Sequence, residues 1–303
     1  MRFASFIAAG TPGYGLVLAN DQLLDLPAAA RAAGQELPST LAGLIAAGPA
    51  VLAAVAGLAA HPTAAALTSL ATVTLTAPLP RPAKNVFCVG RNYLDHVAEG
   101  YRARGTETKL PEAPQFFTKP PTAVIGPGDA FAIDPAVSAK IDYEVELALV
   151  IGTAGRDIPA ERAWDHIFGV TILNDITARD LQRRHDQWFK GKGLDRSCPI
   201  GPIVVTRDEI ADPDAIELSL TVNGEERQRA KVGQMIFPIP EIIRSLSAGL
   251  TLEPGDIIAT GTPAGVGYAM DPPRWLQPGD EVVCEISGIG RLVTPIEAYR
   301  RGS

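Results

Sequence analysis

Cysteine, histidine and aromatic residues are all scarce in this chain of 303 residues, which has three Cys, four His and 6% Phe, Trp and Tyr together. The thiols Cys88, Cys198 and Cys284 are far apart and odd in number, which argues against a disulfide framework and suits a reducing compartment. None belongs to a metal-type CxxC pair. A surplus of positive charge is missing as well: 27 Lys and Arg stand against 34 Asp and Glu, a net charge of −7. That balance argues against nucleic-acid binding, which needs a concentrated basic surface, so an acidic substrate must be met by local Arg or Lys. There is no nucleotide fingerprint, because the glycine loop GTPAGVG (261–267) has neither GxGxxG spacing nor a GK[ST] ending. Its glycines suit a close approach of backbone and Thr262 to a small ligand. Asp, Glu, Lys and Arg are absent between Glu36 and Arg81, and the segment 41–60 has the length of a membrane span. Leu41, Leu44, Ile45, Leu52, Val55 and Leu58 recur there at helical spacing, however, and Gly48-Pro49 interrupts the run, so two short amphipathic helices and no membrane span are expected. MRFASFIAAG makes a poor signal peptide, and a cytoplasmic location is the expectation.

Residues 1–78 read as short strands followed by Ala-rich helices, a small N-terminal α+β domain with no chemistry that can be named. The Pro-rich APLPRPAK stretch (77–84) is a linker candidate, and residues 79–303 form the second expected domain. There β-rich runs dominate, among them NVFCVG (85–90), DYEVELALVIG, GVTILND (169–175), IGPIVVT (200–206), IELSLTVNG (216–224) and DEVVCEI (280–286). Helical patterns are confined to about 160–167, 176–189 and 238–249. Strands without a steady helix between each pair point to an α+β, β-rich body rather than a doubly wound sheet.

The DYEVE stretch (142–146) carries acids at every second position, which in a strand face the same way, and it runs into the unbroken apolar LALVI of a strand buried on both faces. A solvated strand face is the plain alternative. Asp175 ends a second apolar run, and acids gathered at the ends of buried strands repel one another unless a cation joins them. With only oxygen ligands on offer, Mg2+ or Mn2+ is expected before Zn2+. Arg179 and Gln182 stand four and seven residues beyond Asp175 and share its face if a helix starts there. Arg179 can fork onto a carboxylate or pair at the surface with Asp180 or Asp186. Lys190 and Lys192 lie among glycines, where either could reach a ligand or stay solvated. His96 and Glu99, at i, i+3 spacing, have the arrangement of an oriented general base or of a chance pairing.

GRNYLDHVAE, FFTKPPTAVIGPGD (116–129), DYEVELALVIG, NDITARDLQ, KGKGLDRSCPIGP and PGDIIATGTPAGVG (254–267) together resemble, in that order, the fumarylacetoacetate hydrolase family over about residues 80–297. The resemblance implies a β-rich mixed roll that dimerises. It also implies a divalent metal on Glu144, Glu146 and Asp175, with Asp142 not a ligand. By the same likeness His96 and Glu99 form a base dyad on a mobile lid, Lys192 is the active-site lysine, and Arg179, Gln182 and Thr262 contact substrate. In the animal enzyme that names the family a further metal-binding Asp lies seven residues before the catalytic His; Val89 stands there in this chain, as in shorter bacterial members acting on acylpyruvates, 2-oxo dioates or dioxo sugar acids. The implied activity is Mg2+- or Mn2+-dependent cleavage of a carbon–carbon bond in a 2-oxo or 1,3-diketo acid, with His96 activating water. The alternatives are isomerisation or decarboxylation on the same site, and a non-catalytic metal- or carboxylate-binding protein.

Overall fold

In the computed structural model, which describes residues 1–300, two sheets pack around the principal core. The order of the large sheet follows from its most buried strand. Val145–Ile151 is apolar at nearly every position because both its faces are covered: Leu147, Leu149 and Ile151 enter the core shared with the second sheet, while Ala148 and Val150 enter a core on the other side. It pairs antiparallel with Ile167–Asn174 on one side and Ile257–Ala259 on the other. Beyond Ile257–Ala259 come Val86–Gly90, in parallel, and then Gln115–Lys119. Beyond Ile167–Asn174 comes Cys198–Thr206, and against its Val204 and Val205 lies the strand Arg2–Ala8. Thr11–Val17, Gln22–Asp25 and Leu67–Ser69 extend that edge, so strands from both sides of the Pro-rich 77–84 stretch share one twelve-stranded sheet. The second sheet has five strands in the order Glu225–Lys231, Glu217–Val222, Glu281–Ile286, Gly290–Ala298 and Phe131–Ile133. The architecture is α+β and β-rich, with mixed pairing and few helices.

The apolar segment 41–60 forms two short helices, Leu41–Ala46 and Ala50–Ala60, separated at Gly48, whose φ of 79° L side chains rarely adopt. Leu41, Leu44, Ile45, Val55 and Leu58 are buried, and among the described residues no helix is long and apolar enough to cross a membrane. Ile239–Ser247 is the helix expected near 238–249, burying Ile239, Ile242, Ile243 and Leu246 at the i, i+3, i+4, i+7 spacing. The stretch expected as one helix over 176–189 is broken instead: Thr177–Ala178 pairs with Ile141–Asp142, and the helix proper is Arg179–Arg184. Two elements had no apolar periodicity to reveal them. Glu225–Lys231 (EERQRAK) is a charged edge strand, and Leu94–Arg102 is a helix whose buried face is largely polar, His96 and Glu99 beside Val97 and Gly100.

Candidate active site

The antiparallel pair Val145–Ile151 and Ile167–Asn174 sets Val145 opposite Asn174, so the residues just before the first strand and just after the second meet. The Asp175 N–H donates to the Glu144 carbonyl at 2.8 Å. Glu144, Glu146 and Asp175 thereby converge, one carboxylate oxygen of each lying within 4.8 Å of the others, and all three are buried. The acids of 142–146 do not belong to one continuous strand: Asp142 sits in the small Ile141–Asp142 ladder, and Tyr143 and Glu144 break the run before Val145.

Three cations hold this acidic floor. Lys192 Nζ bridges Glu144 Oε2 (2.5 Å) and Asp175 Oδ2 (2.6 Å). Arg179 forks, with Nη2 on Glu144 Oε1 at 2.6 Å and Nε on Asp142 Oδ2 at 2.9 Å. Lys119, fully buried, donates to Asp175 Oδ1 at 2.7 Å and to the carbonyls of Ile176 and Lys192. Burial alone would raise the Glu144 carboxyl, but Lys192 and Arg179 outweigh it and hold Glu144 well below the usual carboxylate range. Burial likewise opposes the charge on Lys192, yet Asp175 and Glu144 push its pKa up. Glu146 is the exception. Its one hydrogen bond comes from the Gly261 N–H (2.7 Å), and burial together with Asp175 and Glu144 pushes its carboxyl well above its ordinary value. An acid cluster in which the member raised furthest by burial and like charge has no ion pair among the described residues, and whose donors are all oxygens, fits a hard divalent ion such as Mg2+ or Mn2+.

The glycine loop explains how the acids stay fixed. Gly261 donates to Glu146, Gly265 to Glu99 Oε2 (2.9 Å), and Gly267 and Tyr268 to Asp142 (2.8 and 3.1 Å). Gly261 and Gly265 have φ of 104° and 108°, and a Cβ on Gly265 would come within 1.8 Å of the Arg227 carbonyl oxygen. On the helix Leu94–Arg102, His96 Nδ1 meets Glu99 Oε1 at 2.8 Å, with both side chains buried. That contact occupies Nδ1 and leaves Nε2 for another partner. His96, Glu144, Glu146, Arg179, Lys192 and Thr262 line one cavity of about 220 Å3, together with Gln182. This is below the roughly 300–1,000 Å3 of sites for drug-sized ligands, so it suits a small acid.

The model for the fumarylacetoacetate (FAA) hydrolase C-terminal domain matches residues 85–297. The chain belongs to that family. One family relative, oxaloacetate tautomerase YisK of Bacillus subtilis, is 50% identical over 228 residues, which cover 75% of this chain and 74% of that one. Among solved structures, the fumarylacetoacetate hydrolase of Exiguobacterium antarcticum is 38% identical, with a TM-score of 0.82 over 99% of this chain and 100% of that one. The 5-carboxymethyl-2-hydroxymuconate delta-isomerase of Mycobacterium smegmatis is 33% identical, with a TM-score of 0.76 over the same shares.

The structure brings the residues singled out by the family likeness into one place, with Glu99 and Asp175 touching His96 and Lys192 respectively. Arg179 is no surface pair: Asp180 instead accepts from the Ser138 hydroxyl at 2.6 Å. Asp175 and Arg179 do not share a helix, because the helix starts only at Arg179, and Gln182 meets Arg179 across i, i+3 at 3.2 Å. Lys190 is exposed and Lys192 buried, which separates the two lysines. Val89 is buried and lines the cavity.

Sequence reasoning missed four supports of this family site. Asp142 is the anchor of Arg179 and of the glycine loop. Lys119 neutralises Asp175; a lysine closing the strand QFFTK just before Pro-Pro was the available signal. Asn92 ties the segment before the helix Leu94–Arg102 to the Thr260 and Phe237 carbonyls, and Gln228 donates to the Thr262 hydroxyl at 2.8 Å. Neither of these amides carried a signal, since each acts on distant backbone.

Proposed function

We propose that this protein interconverts the keto and enol forms of a small 2-oxo acid of the oxaloacetate type, with Mg2+ or Mn2+ as cofactor. The observation that carries the reading is His96, held by Glu99, lining the same small cavity as Glu144 and Glu146 of the carboxylate triad and the two fixed cations Arg179 and Lys192. The oxaloacetate tautomerase and the muconate isomerase among the relatives support proton transfer over the carbon–carbon bond hydrolysis implied first by the family likeness.

Glu144, Glu146 and Asp175 would hold the metal, which when bound would supply a Lewis acid for the 2-oxo oxygen. His96, with Nδ1 held by Glu99, removes a proton from C3, so that the C3–H bond breaks, the C2–C3 double bond forms and negative charge passes to the 2-oxo oxygen. Glu99 supports the imidazolium. Lys192 and Arg179 are fixed positive charges on the side where the oxygen becomes anionic. Return of the proton from His96 to that oxygen gives the enol, and no water is consumed. Hydrolysis of an acylpyruvate is the second reading, favoured by the Exiguobacterium antarcticum hydrolase; it shares the enolate but needs His96 to activate water. Binding alone needs no base, which speaks against a non-catalytic role.

The test is the ultraviolet decay of enol-oxaloacetate with Mg2+ and the protein, run beside a panel of acylpyruvates. Acceleration well above the buffer rate is expected. No acceleration of tautomerisation, with acylpyruvate cleaved, would replace the first reading by the second.

A further inference from the structure

Resting on the oxo-acid reading, we propose that Tyr268 is a specificity-determining residue: its ring closes the cavity beside His96 and limits what an oxo acid can carry beyond C3, the carbon that His96 deprotonates. Tyr268 lines the cavity, and its backbone is fixed to the acidic floor. Gly267 and Tyr268 donate to Asp142, the Arg274 N–H donates to the Gly267 carbonyl at 2.9 Å, and a Cβ on Gly267 would come within 2.0 Å of the Arg274 carbonyl oxygen. From that turn the ring passes two guanidinium groups, Arg179 at 4.5 Å and Arg183 at 5.6 Å from its centroid. Such stacking holds the plane of the ring.

The far end of the ring meets the helix Leu94–Arg102 at Gly100. A Cβ built there would lie 2.6 Å from the Tyr268 hydroxyl oxygen and 3.8 Å from Cζ, with Arg104 Nη2 next at 3.9 Å. Only the hydroxyl is too close, so the tyrosine occupies the space that a side chain at position 100 would fill. Gly100 has no left-handed φ to account for it, and inside a helix glycine is disfavoured against alanine. The contact with Tyr268 supplies the reason.

Gly100 stands four residues after His96 and so shares its face of the helix, and both line the cavity. Tyr268 therefore stands one helical turn along from the imidazole and spans from Arg179, beside the acids, to the helix. An oxo acid whose 2-oxo group faces the acid floor and whose C3 faces His96 has its next carbons directed at this ring. Burial raises the pKa of the hydroxyl and outweighs the opposing pull of Arg179, so the wall is uncharged. With about 220 Å3 in all, the cavity has little other room for a long chain.

Calorimetry on the Mg2+-loaded protein tests this without relying on turnover, using 2-oxobutanoate and 2-oxooctanoate, which share a head and differ only in chain length. The wild-type protein is expected to bind the shorter acid at least about fivefold more tightly, since a chain forced against a packed wall costs more than its burial returns. Tyr268→Ala should reverse the order, because each methylene newly buried is worth up to about fourfold in affinity. Tyr268→Leu should move the ratio the same way by less, and Tyr268→Phe, which keeps the wall, should leave it. Gly100→Ala should weaken both acids while Tyr268 is in place and change little in Tyr268→Phe, where the clashing oxygen is gone. The inference fails if the wild-type protein shows no preference, if Tyr268→Ala keeps the wild-type ratio or weakens both acids equally, or if Gly100→Ala is harmless beside an intact Tyr268. A wild-type protein that binds neither acid would remove the oxo-acid reading and the role of this wall with it. A ratio that reverses in a protein without tautomerase activity would uphold the wall while removing the proposed reaction.

Discussion

On the cavity floor, Glu144, Glu146 and Asp175 come from the ends of strands buried on both faces, and four other elements converge on them with two lysines, an arginine and a backbone N–H. Beside it, the helix Leu94–Arg102 carries His96 and Glu99 and is tied to the glycine loop through Glu99 and Gly265, while Arg102, Ala103 and Arg104 at its end are exposed. The floor is heavily tied: moving Glu144 or Asp175 breaks contacts to several elements. The helix is held through Asn92 and Glu99, while its end is open to solvent. Such a division suits a family whose members include a hydrolase, an isomerase and a tautomerase.

Breaking the floor should have the largest effect. Glu146→Ala removes the acid that has no cation of its own, and metal affinity should fall by at least about a hundredfold, activity following to the buffer rate. Titration calorimetry with Mn2+ measures the first, and a chelated wild-type protein restored by Mg2+ is the control. Turnover that survives exhaustive chelation would remove the metal from the mechanism. Breaking the His96–Glu99 pair should cost less and leave metal binding in place. His96→Ala should lower kcat by about two orders of magnitude, the usual scale for a general base, with Mn2+ affinity unchanged. Glu99→Gln should fall between, since an amide can hold the imidazole but cannot support its positive charge. If any oxaloacetate decarboxylation is present, it should largely persist in both variants, because loss of CO2 needs an electron acceptor more than a base.

What the chain disclosed in advance divides along the same line. Floor acids stood out because LALVI and GVTIL read as buried strands, which weighed against the solvated face that a carboxylate pattern alone would also allow. The ordered family motifs then selected Glu144, Glu146 and Asp175 over Asp142. Asp142 could not be placed from spacing, because the backbone breaks at Tyr143 and Glu144 and turns it toward Arg179, a contact made across 37 residues. The His96–Glu99 contact was visible only as an i, i+3 pair. The identity of its third partner, the Gly265 N–H, lies 166 residues away and leaves no local trace.

Lys192 sharpens the comparison because it belongs to the floor by contact and to the chemistry by charge. Lys192→Met should lower kcat by at least about tenfold, since the loss of a fixed charge beside a developing oxyanion typically costs a few kcal/mol. Metal affinity should not fall with it. The ammonium bridges Glu144 and Asp175, two of the three residues that would hold the metal, so its removal should leave Mn2+ binding equal or tighter. A variant that loses metal in step with activity would make Lys192 a structural strut of the site. Lys190→Met, at an exposed position, should change kcat by less than about twofold, as surface substitutions usually do.

Gln228 should show the smallest effect on turnover and a clear one on stability. Its amide is buried, accepts from the Val145 N–H at 3.0 Å, and donates to the Thr262 hydroxyl and the Pro263 carbonyl at 2.8 Å each. Gln228→Leu keeps most of the volume but leaves the Val145 N–H and the Pro263 carbonyl without partners, at about 1–3 kcal/mol for each buried orphan. Thermal unfolding should therefore come several degrees earlier. If Thr262 contacts substrate, its freed hydroxyl should show as a rise in KM of about two- to fivefold, with kcat nearly kept, because ground state and transition state lose the same contact. A fall in kcat with KM unchanged would place Thr262 against the reacting atoms, and an unaltered KM with lowered stability would leave it a brace for the glycine loop.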